Sequence, residues 1–206
     1  MDTLQNITHS SIDTKSTVLK DIHEKEVNIC VYNRNISFLK RDIQKLILSD
    51  IKINYKGDYD IISQHLNSNK TLNKTKLILE DITILLKSFK RISGSSNLSI
   101  LLSTVKDNMC KRFHVDCNSI RMLCTYAGKG TQWLHNSNVN RKALHSFKDN
   151  NAIVVNNKNI NQVATGAVIL LKGQNYSKEY SQGIVHRSPP VGTNDNNRLL
   201  LRIDSI

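Results

Sequence analysis

Proline is almost missing from this chain: there are 2 in 206 residues, with 8 glycines. So low a share of both excludes a collagen-like or low-complexity chain and argues for an ordered fold. Long apolar runs are missing too. The longest, Ile82 to Leu86 and Val168 to Leu171, fall far short of the roughly 20 residues that span a bilayer. Met1-Asp2-Thr3-Leu4-Gln5-Asn6 has neither a basic start nor an apolar signal core, so a cytoplasmic protein without a membrane span is expected. Aromatics make up only 5%, which leaves little with which to stack exposed bases. Cysteines are few: Cys30, Cys110, Cys117 and Cys124, with no Cys-x-x-Cys pair among them. They read as free thiols, small hydrophobes in place of a disulfide framework or zinc knuckle.

Acidic residues are also scarce. Against 29 Lys and Arg there are 17 Asp and Glu, a net charge of +12. The excess is greater in the second half: 15 basic against 11 acidic residues up to residue 100, then 14 against 6. Such a balance raises nucleic acid as a partner. Lys, Asn and Ile are abundant throughout, however, and no basic stretch is interleaved with aromatics, so a solvated basic face is favoured over a polyanion site.

A length of 206 residues suits one well-buried domain. Helical spacing covers Ile36 to Ile51, then Leu72 to Phe89 with Gly94 just past its end, and a shorter third stretch from Asn97 to Asp107. Val27 to Tyr32 reads as a strand and Asn67 to Asn69 as a turn. After residue 107 the period shortens. Strands are expected at Cys110 to Val115, Ile120 to Tyr126, Thr131 to Leu134, Ala152 to Val155, Ala167 to Leu171, Ile184 to His186 and Arg198 to Ile203. Turns are expected at Gly128 to Gly130, Asn156 to Asn157, Gly173 and Pro189 to Gly192, with a loop at Asn194 to Asn197. The expected fold is therefore α+β: a mainly helical support region, 1–107, packed as one unit on a β-rich sandwich, jelly-roll or barrel core, 108–206.

The chemistry-bearing signal is Phe113-His114-Val115-Asp116, followed 70 residues on by Val185-His186-Arg187-Ser188. On an extended segment, residues two apart share a face, so His114 and Asp116 would project together, with His186 arriving from a neighbouring strand. Two neutral imidazoles and a carboxylate on one face of a cation leave positions open and suit iron(II). The same donors hold zinc in other settings, either in a non-catalytic metal-binding protein or with a hydrolytic water. Further on, the alternation of Arg198-Leu199-Leu200-Leu201-Arg202 puts two arginines on one face. An inward arginine needs an anion, and a dicarboxylate supplies one by bidentate pairing.

The order of these pieces resembles the iron- and 2-oxoglutarate-dependent dioxygenases, whose double-stranded β-helix carries His-x-Asp, a distal histidine and a later basic residue. More closely, Cys110 to Asp116, Cys124-Thr125-Tyr126, Gly130 to Leu134, Leu171-Lys172-Gly173 and Val185 to Pro190 are similar to an uncharacterised bacterial family known only as a domain of unknown function. The dioxygenase resemblance implies His114, Asp116 and His186 as metal ligands and Arg198 as the 2-oxoglutarate anchor. Arg202 is the reserve anchor, and Tyr126 a hydrogen-bond donor to the co-substrate. It implies an oxygenase hydroxylating an unidentified substrate. The roles of Trp133 and Lys172 stay open, with Lys172 read as a solvated strand end.

Overall fold

The helix that the sequence signals most fully lies over the back of the molecule. In the computed structural model, which describes residues 10–106, 110–176, 183–190 and 197–206, α3 runs over Lys76–Ser93. Ile78, Leu79, Ile82, Leu85, Leu86, Phe89 and Ile92 form its buried stripe, with the three-and-four spacing of an amphipathic helix. Asp42 accepts from the Leu77 amide at its start, and Gly94 ends it in the left-handed conformation at φ 65°. Two shorter helices accompany it: α1, Lys40–Leu48, and α2, Tyr59–Ser68, the latter capped by Asp58 accepting from the Ile61 amide. Among the described residues no helix is long and apolar enough to cross a membrane.

Under these helices lies a seven-stranded sheet. Its strands are β1 (Ser10–Asp13), β2 (Ile29–Tyr32), β3 (Lys52–Gly57), β4 (Leu98–Val105), β5 (Ile120–Ala127), β8 (Val168–Lys172) and β10 (Arg198–Ser205), in the order β1-β2-β8-β5-β10-β4-β3. Facing it is a small sheet of β6 (Gln132–Leu134), β7 (Asn161–Gln162) and β9 (Val185–Arg187), ordered β7-β6-β9. The large sheet takes strands from both sides of residue 107, and β4 pairs along its whole length with β10.

Two apolar layers follow from the alternation of the strands. Leu98, Ile100, Leu102, Met122, Cys124, Tyr126, Val168, Leu170, Leu199, Leu201 and Ile203 face the helices. Leu123, Ile169, Leu171, Val31 and Trp133 pack between the two sheets. Beyond the small sheet, Phe113, Leu134, Val139 and Val185 join two short helices, α4 (Arg141–His145) and α5 (Asn150–Ile153).

Several expected elements are different. The helix expected over 97–107 is strand β4. Its run Leu98-Ser99-Ile100-Leu101-Leu102 is buried on both faces between β10 and β3, which erases the alternation that marks a half-exposed strand. The strand expected over 152–155 starts as α5, because Asp149 accepts from the Ala152 amide and caps a helical turn; only Val154 pairs, with Val139. Cys110 to Val115 is not a regular strand either. The Phe113 amide donates to the Asn150 side chain, which in turn donates to the Lys111 carbonyl, so a side chain takes the place of a neighbouring strand. The first half contributes β1, β3 and β4 where no strands were expected. The amino-terminal hexapeptide lies outside the described residues, as do parts of the loops expected at 189–192 and 194–197. All four cysteines are unpaired; Cys30 and Cys124 are buried, while Cys110 and Cys117 are exposed.

Candidate metal centre

His114 and His186 exchange both backbone hydrogen bonds, His114 N to His186 O at 3.0 Å and His186 N to His114 O at 2.9 Å. Such a pair is the narrow, hydrogen-bonded site of an antiparallel ladder, and its two side chains leave on the same side. The imidazole centroids are 4.6 Å apart. Asp116 joins them: its Oδ1 lies 3.6 Å from His114 Nε2 and its Oδ2 3.3 Å from His186 Nε2. One potential ligand atom from each of the three residues lies within 4.8 Å of the others, the one such grouping of three among the described residues.

The other ring nitrogens settle what these atoms offer. His114 Nδ1 faces the Arg112 carbonyl at 2.9 Å, and His186 Nδ1 faces the Ile184 carbonyl at 3.2 Å. A carbonyl only accepts, so each Nδ1 carries the hydrogen and each neutral ring turns an Nε2 lone pair toward Asp116. Two lone pairs and a carboxylate then converge with nothing positive between them. Asp116, whose side chain is 9% exposed, has its Oδ2 buried and without a hydrogen-bond donor despite the nearness of His186. A cation resolves that arrangement, either as a proton on an imidazole or as a divalent metal, and this donor set fits the latter. Contact with the Asp116 carboxylate raises the His114 pKa against the opposing effect of burial. Burial alone would raise the Asp116 carboxyl, but the two histidines and the Arg121 charge hold it well below the usual carboxylate range.

Behind Asp116 is a row of alternating charge. Arg121 on β5 donates from one terminal nitrogen to Asp116 Oδ1 at 2.5 Å, and from Nε and its other terminal nitrogen to the two oxygens of Asp204, at 2.5 and 3.2 Å. Arg202 Nε approaches Asp204 Oδ2 at 3.0 Å, and Asn118 donates to Asp204 Oδ1. Arg121 and Asp204 were not singled out from the sequence. A signal for Asp204 existed: the parity that places Arg198 and Arg202 on one face also places Asp204 there.

Arg198 differs from Arg202. It is 5% exposed, and among the described residues its terminal nitrogens reach only the hydroxyls of Thr125, at 3.2 Å, and Ser188, at 3.4 Å. Its Nε has no acceptor, and among the described residues it has no carboxylate partner. Gly128 makes room for it: at φ 81° a Cβ there would come within 2.6 Å of Arg198 Cγ. Arg198, Arg202, Arg121, His114 and His186 line one cavity of about 340 Å³ between the sheets.

The remaining expected site residue, Tyr126, belongs elsewhere. Arg121 and Leu123 line the cavity, so Tyr126, on the opposite parity, faces the helices. It is 2% exposed and its hydroxyl donates to Asp81 Oδ2 at 2.6 Å, while Arg34 donates one terminal nitrogen to each oxygen of the same carboxylate. The expected hydrogen bond from Tyr126 to a co-substrate is thus replaced by a buried Arg34–Asp81–Tyr126 network. Asp81→Ala should leave Arg34 without its carboxylate and cost about 3–5 kcal/mol in urea unfolding. Tyr126→Phe should cost only about 1 kcal/mol and leave ligand binding at the centre unchanged. Lys172 is also corrected: it is 2% exposed, donating to the Glu24 carbonyl at 2.7 Å with its ammonium 4.5 Å from the Tyr176 ring centroid. Trp133 sits in the inter-sheet layer, opposite His186 in the β6–β9 register.

A helix-backed pair of facing β-sheets, with a His-Asp-His cluster at their opening, defines the class to which this protein is similar in fold. Among solved structures, the dioxygenase for auxin oxidation 1 from Arabidopsis thaliana, in complex with 2-oxoglutarate, matches with a TM-score of 0.51 at 7% identity, over 96% of this chain and 91% of that one. A full-length Neurospora crassa protein in complex with alpha-KG matches at 0.46 and 12% identity, over 95% and 83%. At 7% identity the likeness to the plant dioxygenase is one of fold. No curated protein sequence matches. The chain belongs to the family described as protein of unknown function DUF1826, whose model matches residues 13–204.

Proposed function

We propose that this protein is an iron(II)- and 2-oxoglutarate-dependent oxygenase, with His114, Asp116 and His186 as the metal ligands and Arg198 as the co-substrate anchor. The observation that carries the reading is the convergence of two imidazoles on Asp116, whose Oδ2 has no hydrogen-bond partner, beside a cavity that His114 and His186 line together with Arg198, a buried guanidinium without a carboxylate partner among the described residues. Iron(II) and 2-oxoglutarate, when bound, would supply the oxidation: dioxygen is consumed, the co-substrate is converted to succinate and carbon dioxide, and one oxygen atom enters a C–H bond of the substrate.

This chain's own groups do the rest. The Arg112 and Ile184 carbonyls fix the imidazole orientations. Arg121 occupies Asp116 Oδ1 and leaves Oδ2 for the cation, which favours binding through one oxygen. Arg198 offers two terminal nitrogens to a carboxylate, and exchanging weak hydroxyl contacts for a charge-assisted pair gives the dicarboxylate its orientation. Arg202 is already opposed by Asp204, so Arg198 is the stronger anchor.

Anaerobic titration with iron(II), with and without 2-oxoglutarate, is the direct test. The expected result is saturable binding of one iron and a visible charge-transfer band that needs both components. Tightly held zinc with no response to 2-oxoglutarate would overturn the reading.

Proton and metal compete for the same His114 lone pair, so pH gives a second check. In the metal-free protein the raised His114 pKa contributes stability below about pH 6.5, which is lost as the pH rises through the higher folded value. The depressed Asp116 pKa contributes above about pH 3.9 and is lost as the pH falls. Thermal melts of metal-free protein should therefore fall slightly between pH 6 and 8, about where a histidine titrates. With iron present over the same interval they should rise, because metal binding gains as the imidazole gives up its proton.

A further inference from the structure

We propose that the cavity on the outer side of His114 binds a planar aromatic anion as the substrate, with Phe147 as its stacking surface; this rests on the oxygenase reading for the role of substrate, though not for binding. The cavity, of about 530 Å³, shares His114 with the inter-sheet cavity and is otherwise bordered by residues that include Arg112, Arg141, His145 and Phe147. No carboxylate lines it among the described residues.

Phe147 is the unusual feature. It follows α4 in the left-handed conformation, at φ 56°, where the chain closes the helix through Phe147 N to Leu144 O and Lys148 N to Ala143 O. That position ordinarily takes glycine, and a bulky side chain there is strained. The strain is not offset by burial, because the residue is 84% exposed. A strained, solvent-facing aromatic beside a candidate centre is the kind of feature that ligand contacts explain.

The loop carrying Phe147 is also held rigidly relative to His114. Arg112 donates from Nε to the Lys148 carbonyl at 2.8 Å and from a terminal nitrogen to the Leu144 carbonyl at 2.7 Å, while its own carbonyl accepts from His114 Nδ1. Its guanidinium lies 5.3 Å from the Phe147 ring centroid. The exposed ring is thus free to take a flat partner, and the guanidinium, its donors engaged by the backbone, still contributes positive charge. The cavity thereby selects for negative charge as well as planarity.

Naphthalene-2-sulfonate is a suitable probe, planar, anionic and weakly chelating, with naphthalene-2-methanol as the neutral control. Fluorescence titration of the full metal-free chain should show saturable sulfonate binding, weaker by roughly tenfold in both Phe147→Gly and Phe147→Ala, the range expected for loss of one stacking contact. The methanol should bind more weakly than the sulfonate. Phe147→Gly should also melt a few degrees higher than the parent, since glycine relieves the positive φ. A purely structural phenylalanine would give the opposite shift. Manganese(II) at the His114 centre should broaden the probe's proton resonances. Equal sulfonate affinity in parent and variants, a lower melting temperature for Phe147→Gly, or sharp probe resonances beside bound manganese would each overturn the proposal. Phe147-dependent binding in a protein that shows no iron and 2-oxoglutarate band would instead sustain the anion site and remove the oxygenase reading.

Discussion

Asp116→Ala should abolish iron(II) binding at concentrations that saturate the parent. Losing a group that merely orients a ligand costs 10–100-fold in affinity, so removing the only carboxylate of the three should exceed about 100-fold. The effect should not come from unfolding. Arg121 keeps two contacts to Asp204 after the substitution, so it is not left as an unpaired buried charge. Circular dichroism of the metal-free variant should show the parent's fold, with a melt lowered by the loss of the Asp116 contribution but still cooperative, while isothermal titration shows no iron binding. Asp116→Asn sharpens the comparison: it keeps an acceptor for Arg121 but removes the negative charge, and it should bind iron nearly as poorly as the alanine variant. Iron affinity within tenfold of the parent in either variant would remove Asp116 from the ligand set.

The second large effect concerns Arg198. Arg198→Ala should raise the 2-oxoglutarate concentration needed for the charge-transfer band by about 100-fold, the loss expected when a buried charge-assisted pair of about 3 kcal/mol is removed. Iron affinity without co-substrate should stay close to that of the parent. Arg198→Lys should recover part of the loss, since an ammonium keeps the charge without the two-pronged geometry. Arg202→Ala should act differently, leaving the 2-oxoglutarate requirement within a few-fold while lowering stability through Asp204. If Arg202→Ala gave the larger shift, the anchor would have been assigned to the wrong residue.

The legible parts of this site were those with short-range patterns. His-x-Asp places two side chains on one side of an extended segment whether or not that segment is a regular strand, so His114 and Asp116 meet even though Phe113 bonds to a side chain instead of a neighbouring strand. Arg198 and Arg202 share a face for the same period-two reason. Which face a strand turns inward was far harder to read. On β5, Met122, Cys124 and Tyr126 on one side and Leu123 and Thr125 on the other are all buried, so composition gives no clue that Tyr126 looks toward α3. β4 was misread for a related reason, its burial on both faces. Lys172 was read as solvated because buried lysines are uncommon; a backbone carbonyl and an aromatic ring supplied by distant segments made burial tolerable, and neither is visible locally. Arg121 and Asp204 are 83 residues apart and meet only because β5 and β10 are neighbours.

The single ladder rung joining His114 to His186 carries a consequence for motion. Among the described residues, the backbone bonds between the 110–116 stretch and the 185–188 stretch are the two of this rung and one from Ser188 N to Cys110 O. An ion gripping both imidazoles would fasten the same two strips of chain a second time, in parallel with those bonds. Solvent deuterium should therefore reach the amides of residues 114 and 186 quickly in the empty protein and slowly once the ion is in place, making their exchange a local gauge of occupancy that needs no substrate.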